Sequence, residues 1–248
     1  MTSEIIGAFL SGLVLMSTHI NISRNELRAL LTRTFEALYG HERDYYDMAK
    51  TVLWLECHGH HGVEQLIAAL PILEQDNLTK PQLSKLSSNH IVIDGGGHSL
   101  ICMSRSICDL VMADAAENGY SRADIINVAD SKPLLGFLHY AAIQGFFAIA
   151  ISRDQLAVIR ANEAYPSVYE NNGIDNLSLI CNQTEERLCD YVSQNSDILI
   201  NAITQKDTFA TSLERGLNIK RSDYYALNMI ANRVLVEATE KSRQGAGE

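Results

Sequence analysis

Apolar side chains recur along this chain at two spacings, and the change between them divides it. Leu27, Leu30, Leu31, Phe35 and Leu38 fall three or four residues apart, the period of a helix with one buried face. Ser23-Arg-Asn-Glu26 precedes them and has the form of a capping box, in which a hydroxyl and a carboxylate each take a free backbone N–H. Gly40 closes this first helix. The pattern predicts a second helix over 42–57, with Tyr45, Met48, Ala49, Val52 and Leu55 inward. A third, over 63–73, turns Leu66, Ala69, Leu70 and Leu73 inward. Residues 75–90 are polar, contain Pro81 and read as a loop.

Short apolar runs then alternate with helical ones. His90-Ile-Val-Ile-Asp94 is a strand running into Gly95, Gly96 and Gly97. An amphipathic helix over 99–118 carries Leu100, Met103, Ile107, Leu110, Val111 and Ala115 to Gly119. A strand over 124–128, a helix over 134–144 and a buried strand over 146–151 follow. This order predicts an α/β fold in which N-terminal helices lead into a mixed sheet flanked by helices, with parallel pairing in its core. Further on, 177–181 and 198–200 read as strands, with a helix over 184–192. A long last helix over 222–242 has Tyr225, Ile230, Val234 and Ala238 inward. We divide the chain into an N-terminal extension (1–15), a helical region (16–80) and an α/β domain (81–248).

Composition narrows the classes of function. Twenty basic residues against 30 acidic ones leave a net charge of −10, with no basic stripe to release counterions, so nucleic acid is not an expected partner. The apolar run 5–16 is about twelve residues, against the roughly 20 that span a bilayer, and carries no basic flank. No membrane partner or export signal is expected. Five cysteines with no CxxC pair read as reduced thiols of a cytoplasmic protein.

Three stretches carry candidate chemistry. Glu56-Cys-His-Gly-His-His-Gly62 places His58, His60 and His61 in a glycine-bracketed turn between two helices. They read as zinc ligands, as a proton donor, or as a polar turn. Adjacent His60 and His61 point in different directions and no HExxH or CxxC accompanies them, so no metal is expected. A histidine near its ordinary pKa suits acid–base work on a carbonyl or imine. Asp94-Gly95-Gly96-Gly97 between strand and helix reads as a phosphate cradle or as a tight turn, and the turn is preferred. Ser131-Lys132-Pro133 follows a strand, where α/β folds often place ligand contacts, or is an ordinary turn before a helix; taken alone, the turn is preferred.

Taken together, the first two helices, His61-Gly-Val-x-x-Leu66, Asp94-Gly95, the long helix after it and Ser131 resemble the type 2 malate/L-lactate dehydrogenases over residues 20–152. That NAD(P)H-dependent superfamily includes ureidoglycolate, sulfolactate and cyclic-imine reductases. The resemblance implies a sulfolactate dehydrogenase-like fold, here truncated, an NAD(P)H cofactor, a small 2-oxo acid or cyclic imine as substrate, and a homodimer. It places His61 at the acid–base position and Ser131 and Lys132 beside the cofactor. Gln65, standing where the family has an arginine, and His60 become the substrate-facing residues. Pro133 replaces a family histidine, and the later Asp-x-Ala-Thr-Ser segment is absent. The ending Val236-Glu-Ala-Thr-Glu-Lys-Ser-Arg-Gln-Gly-Ala-Gly247, together with Trp54-Leu55, resembles an uncharacterised bacterial family. The alternative to an oxidoreductase is a non-redox binding or regulatory protein on the same scaffold; an enzyme of altered, non-redox chemistry is less favoured.

Overall fold

The computed structural model describes residues 18–40, 44–75, 77–171, 176–186 and 197–234. The capping box forms as expected. The Glu26 amide donates to the Ser23 hydroxyl (3.2 Å) and the Ser23 amide donates to the Glu26 carboxylate (2.7 Å), opening α1, Arg24–Tyr39. Gly40 ends it at φ 57°, where a side chain is disfavoured. Helix α2 spans Tyr45–Cys57 and α3 spans Gly62–Leu73. The three helices share a core in which Leu27, Leu31, Phe35, Val52 and Leu66 are fully buried. Each such side chain contributes roughly 1.5–3 kcal/mol of apolar burial.

The sheet has eight strands in the order β2-β3-β4-β8-β5-β6-β7-β9. These are β2 Gln82–Ser87, β3 His90–Asp94, β4 Tyr120–Ile126, β5 Phe147–Ile151, β6 Gln155–Ile159, β7 Ser167–Glu170, β8 Ser178–Asn182 and β9 Ile198–Ile200. Among the described residues only β3 and β4 pair in parallel. The core pairing predicted between successive strands is corrected further on: β8 inserts between β4 and β5, antiparallel to both. Strand β8 is buried along its whole length, which explains its central place. Helices α4 (Ser104–Asn118) and α5 (Leu135–Ile143) pack on one face around Leu100, Ile107, Val111, Leu138 and Ala141.

Other differences have local causes. The loop expected over 75–90 contains β2, which pairs antiparallel with β3 at the sheet edge. All six of its residues are exposed, so it shows none of the alternation that marks a half-buried strand. The helix expected over 99–118 begins as a separate 3₁₀ turn, Leu100–Cys102, because the Asp130 carboxylate accepts from the Leu100 amide (2.7 Å) and from the Ser99 hydroxyl. Strands β6 and β7, helix α6 (Ala202–Arg215) and the short strands β1 (His19–Ile22) and β10 (Leu217–Lys220) were not foreseen.

Strand β10 returns to pair antiparallel with β1, and α7 (Arg221–Ala231) packs on α1, where the Thr34 hydroxyl donates to the Leu227 carbonyl. In α7 the buried residues are Leu227, Ile230 and Ala231, while Tyr225, expected inward, is exposed. The helix expected over 184–192 lies mostly outside the described residues, as do the N-terminal extension, the C-terminal part of the long last helix and the tail 236–247. Among the described residues no helix is long and apolar enough to cross a membrane.

Candidate functional site

Helix α2 ends and α3 begins within five residues, and this reversal separates the three histidines. His58 caps α2: its Nδ1 lies 2.6 Å from the Trp54 carbonyl, which can only accept, so Nδ1 carries the proton. The residue is 5% exposed. The His60 amide donates to the Leu55 carbonyl (2.8 Å), and its ring turns inward toward Gln205 (Nε2 to Oε1, 3.3 Å). The fully buried Gln205 donates its amide to the Pro166 carbonyl. Its oxygen is therefore the atom facing His60, and His60 Nε2 is the donor. His61 alone is exposed. It sits at φ 53°, ψ 50° as the N-cap of α3 and makes no side-chain cap bond.

Close packing fixes the residue that follows. A Cβ at Gly62 would lie 2.2 Å from the Val52 carbonyl oxygen, so α3 can start against α2 only with glycine there. Glu56 completes the turn by accepting from the Val63 amide (2.8 Å), an N-terminal cap supplied by the preceding helix. Gln65 donates its side-chain amide to the His60 carbonyl (2.5 Å), and its buried Oε1 has no partner. The free valence of Gln65 is thus an acceptor, suited to a hydroxyl or N–H group rather than to a carboxylate.

Burial sets the charge states here. It pushes His58 down to about 4, with the Trp54 carbonyl opposing. It also lowers His60, opposed by Gln205 and reinforced by the neighbouring His61 and Lys132 charges. Burial raises Glu56, against the Val63 amide and His61. The structure therefore brings His61 and Lys132 within electrostatic reach of His60, and His61 within reach of Glu56. Lys132 is exposed and opens the 3₁₀ turn Lys132–Leu134 that leads into α5, and the Ser131 hydroxyl before it makes no cap bond. Among the described residues Lys132 forms no ion pair. No group of three or more His, Cys, Asp or Glu side chains is placed there to hold a metal.

The glycine turn is closed. The Gly95 amide donates to the Ile126 carbonyl and the Gly97 amide to the Asn127 carbonyl, both at 2.8 Å, and the Gly96 amide donates to Asp94 (2.9 Å). A Cβ at Gly96 would lie 2.1 Å from the Thr79 carbonyl oxygen. These glycines admit neighbouring chain, which agrees with the tight-turn reading. Asp130, whose pKa burial raises against its bonds from Ser99 and Leu100, acts as a cap delivered from across the sheet.

Sequence reasoning did not find the aromatic stack beside the histidine turn. The Trp54 indole lies parallel to the rings of His58 (4.1 Å, 18°) and His139 (5.1 Å, 4°), and His58 stacks in turn on Phe209 (4.9 Å). Trp54 and His58 are four residues apart on one helix, a spacing that could have paired them. His139 and Phe209 arrive from α5 and α6 with no local signal.

This architecture matches solved dehydrogenases. It is similar to a malate dehydrogenase from Pyrococcus horikoshii OT3 at 14% identity and a TM-score of 0.65, over 89% of this chain and 97% of that one. It is also similar to a dehydrogenase from Sinorhizobium meliloti (13%, TM-score 0.64, 86% and 99%) and to the sulfolactate dehydrogenase from Methanocaldococcus jannaschii (12%, TM-score 0.61, 86% and 97%). The chain therefore has the malate/lactate dehydrogenase-like fold, as its sequence led us to expect. At the level of sequence, residues 22–104 match a family model described as a protein of unknown function, DUF3726. Comparison with curated proteins finds no match.

Proposed function

We propose that the protein is a diverged NAD(P)H-dependent oxidoreductase that reduces a small 2-oxo acid or cyclic imine, with His61 as the acid. The observation that carries this reading is the placement of His61, the one exposed imidazole of its turn, held in a left-handed conformation at a helix start on a dehydrogenase fold. Its ring would hold a proton and deliver it to the substrate oxygen or nitrogen as the adjacent carbon is reduced. NAD(P)H, when bound, supplies the hydride. The residues present suit one phosphate. Ser131 and Lys132 offer a hydroxyl and an ammonium that forms no ion pair among the described residues, at the start of a helical segment, whereas the glycine turn has no amide left to give. Gln65 Oε1 would accept from a hydroxyl or imine N–H of the ligand.

Three observations favour the second reading, a non-redox binding protein: Pro133 in place of histidine, the committed Gln65 amide and the closed glycine turn. Titration with NADH and NADPH, followed by fluorescence, separates the two. Saturable binding supports the oxidoreductase, and no binding of either at about millimolar concentration removes it in favour of the second. If cofactor binds, His61→Ala should cut turnover by about 10²–10⁴-fold and leave cofactor affinity nearly intact. The homodimer we propose has an apolar face available in the exposed edge strand β2, where Leu83 and Leu86 stand open. Light scattering giving a monomer mass would end that part of the reading. We propose further that the protein works in the cytoplasm.

A further inference from the structure

We infer that helix α6 is the positioning element of the histidine turn and that Gln205 is its key residue, holding the His60 ring in one tautomer and, through it, the backbone that presents His61. The inference rests on the reductase reading for what His61 does, but not for the contacts themselves.

One face of α6 follows the turn residue by residue. Gln205 Oε1 meets the His60 ring (3.3 Å from Nε2), and the Phe209 ring stacks on His58 (4.9 Å, 15°). Between them, a Cβ at Gly59 would touch the Thr208 methyl at 3.4 Å. Burial raises the pKa of the Cys57 thiol, and the Ser212 hydroxyl beside it opposes that rise. Residues 205, 208, 209 and 212 share one side of a helix, and they meet 60, 59, 58 and 57 in that order.

Helix α6 adds little to the apolar core. Its buried residues are Gln205 and Ser212, both polar, while Ile203 and Leu213 are exposed. A helix docked by apolar burial shows the opposite pattern. What α6 buries is a hydrogen-bonded chain. The Gln205 amide donates to the Pro166 carbonyl, which leaves its oxygen to accept from His60 Nε2. Both ends of the amide are used, so it cannot flip without leaving a buried polar group unpaired. His60 Nδ1 is then the unprotonated nitrogen. Burying an amide and an imidazole costs more than burying two apolar side chains, and what the pair adds is a fixed orientation.

His60 is thereby held at its ring by Gln205, at its amide by the Leu55 carbonyl (2.8 Å) and at its carbonyl by the Gln65 side chain (2.5 Å). The next residue is His61. Its side chain forms no cap bond, so its placement is inherited from the backbone that His60 anchors. A displacement of about 1 Å at a proton donor costs on the order of 10²-fold in rate, which is what a fixed His60 prevents.

Imidazole nitrogen NMR of the full chain at neutral pH, with His60 and His61 assigned by substitution, reads the tautomer without substrate or cofactor. We expect His60 to be neutral with its proton on Nε2. Gln205→Met, which nearly keeps the volume and removes the acceptor, should mix the two His60 tautomers and shift the His61 ring signals at unchanged circular dichroism. Gln205→Glu presents an oxygen to His60 whether ionised or not, and should keep the Nε2 proton in place. Where the protein reduces a substrate, Gln205→Met should lower kcat at least about tenfold with KM within about twofold, and Gln205→Glu should recover part of that loss. Failure of the reductase reading removes only this turnover arm, and the NMR arm then decides alone. A wild-type His60 protonated on Nδ1, or charged at neutral pH, would overturn the inference with no variant needed. So would a folded Gln205→Met protein in which the His60 tautomer and the His61 signals are unchanged, or one with undiminished turnover.

Discussion

The histidine turn at 58–62 and the glycine turn at 94–97 look equally like ligand sites in the sequence, and the fold treats them differently. In the glycine turn all three glycine amides are bonded within the protein, and Thr79 and Val128 fill the space a ligand would need. In the histidine turn two rings pack inward on partners from α2 and α6, and one is left facing out. Residues of the right chemical type are thus no measure of a site. What counts is whether their donors and acceptors are already bonded, and that is settled by neighbours distant in sequence.

The sharpest way to break the comparison is at its tightest contacts. Gly62→Ala and Gly96→Ala should each destabilise the fold by about 3 kcal/mol or more, because the new methyl would meet carbonyl oxygens at 2.2 and 2.1 Å. Equilibrium denaturation would measure it. A Gly96→Ala protein of native stability would show that the glycine turn can open for a ligand after all.

A smaller effect follows from the buried imidazoles. His58 and His139 have folded pKa values of about 4 against an ordinary 6.5, so between those values the unfolded chain binds more protons. Their contribution is complete above pH 6.5 and declines as the pH falls toward 4. The melting temperature should drop by about 5 °C across the upper part of that window. Asp130 and Glu56, both raised, act in the opposite direction at its acidic end. His139→Phe, which keeps a flat ring beside Trp54, should flatten the slope.

Relief of strain should give a smaller gain. His61→Gly ought to stabilise the protein by about 1 kcal/mol, since a left-handed backbone costs a side chain roughly that much. The same change should abolish whatever turnover the protein has. A variant both more stable and fully active would remove His61 from the site. Smallest of all, Gln65→Met should shift stability by only about 0.5 kcal/mol. It loses the bond to the His60 carbonyl but also deletes a buried oxygen that has no partner. A change in substrate affinity from this substitution would mark Oε1 as a ligand contact.

Much of the fold was legible where the signal is local. The capping box, the burial period of α1 to α3 and the strand at 90–94 all depend on residues within one turn or one strand. Strand β2 was not legible because an exposed edge strand leaves no mark of burial. The division of the helix over 99–118 was missed because the carboxylate that divides it, Asp130, comes from beyond the next strand. In the site, the sequence set His61 apart from its neighbours by resemblance, and in the fold it differs from them in being exposed while His58 and His60 are buried. Its surroundings were not: Gln205, His139 and Phe209 reach the turn from elements 78 to 148 residues away, by subtraction of residue numbers from His61.

The amino-acid order by itself determined the N-terminal helices, the strand-to-helix turns and the dehydrogenase-like succession of elements, since periodicity and capping act over a few residues. Only the tertiary structure decided that β8 separates β4 from β5, that β10 closes on β1, and that His60 is bonded inward while His61 stays free. Hydrogen bonding and desolvation are settled by whichever groups the whole fold brings within about 3 Å, and no local pattern encodes them.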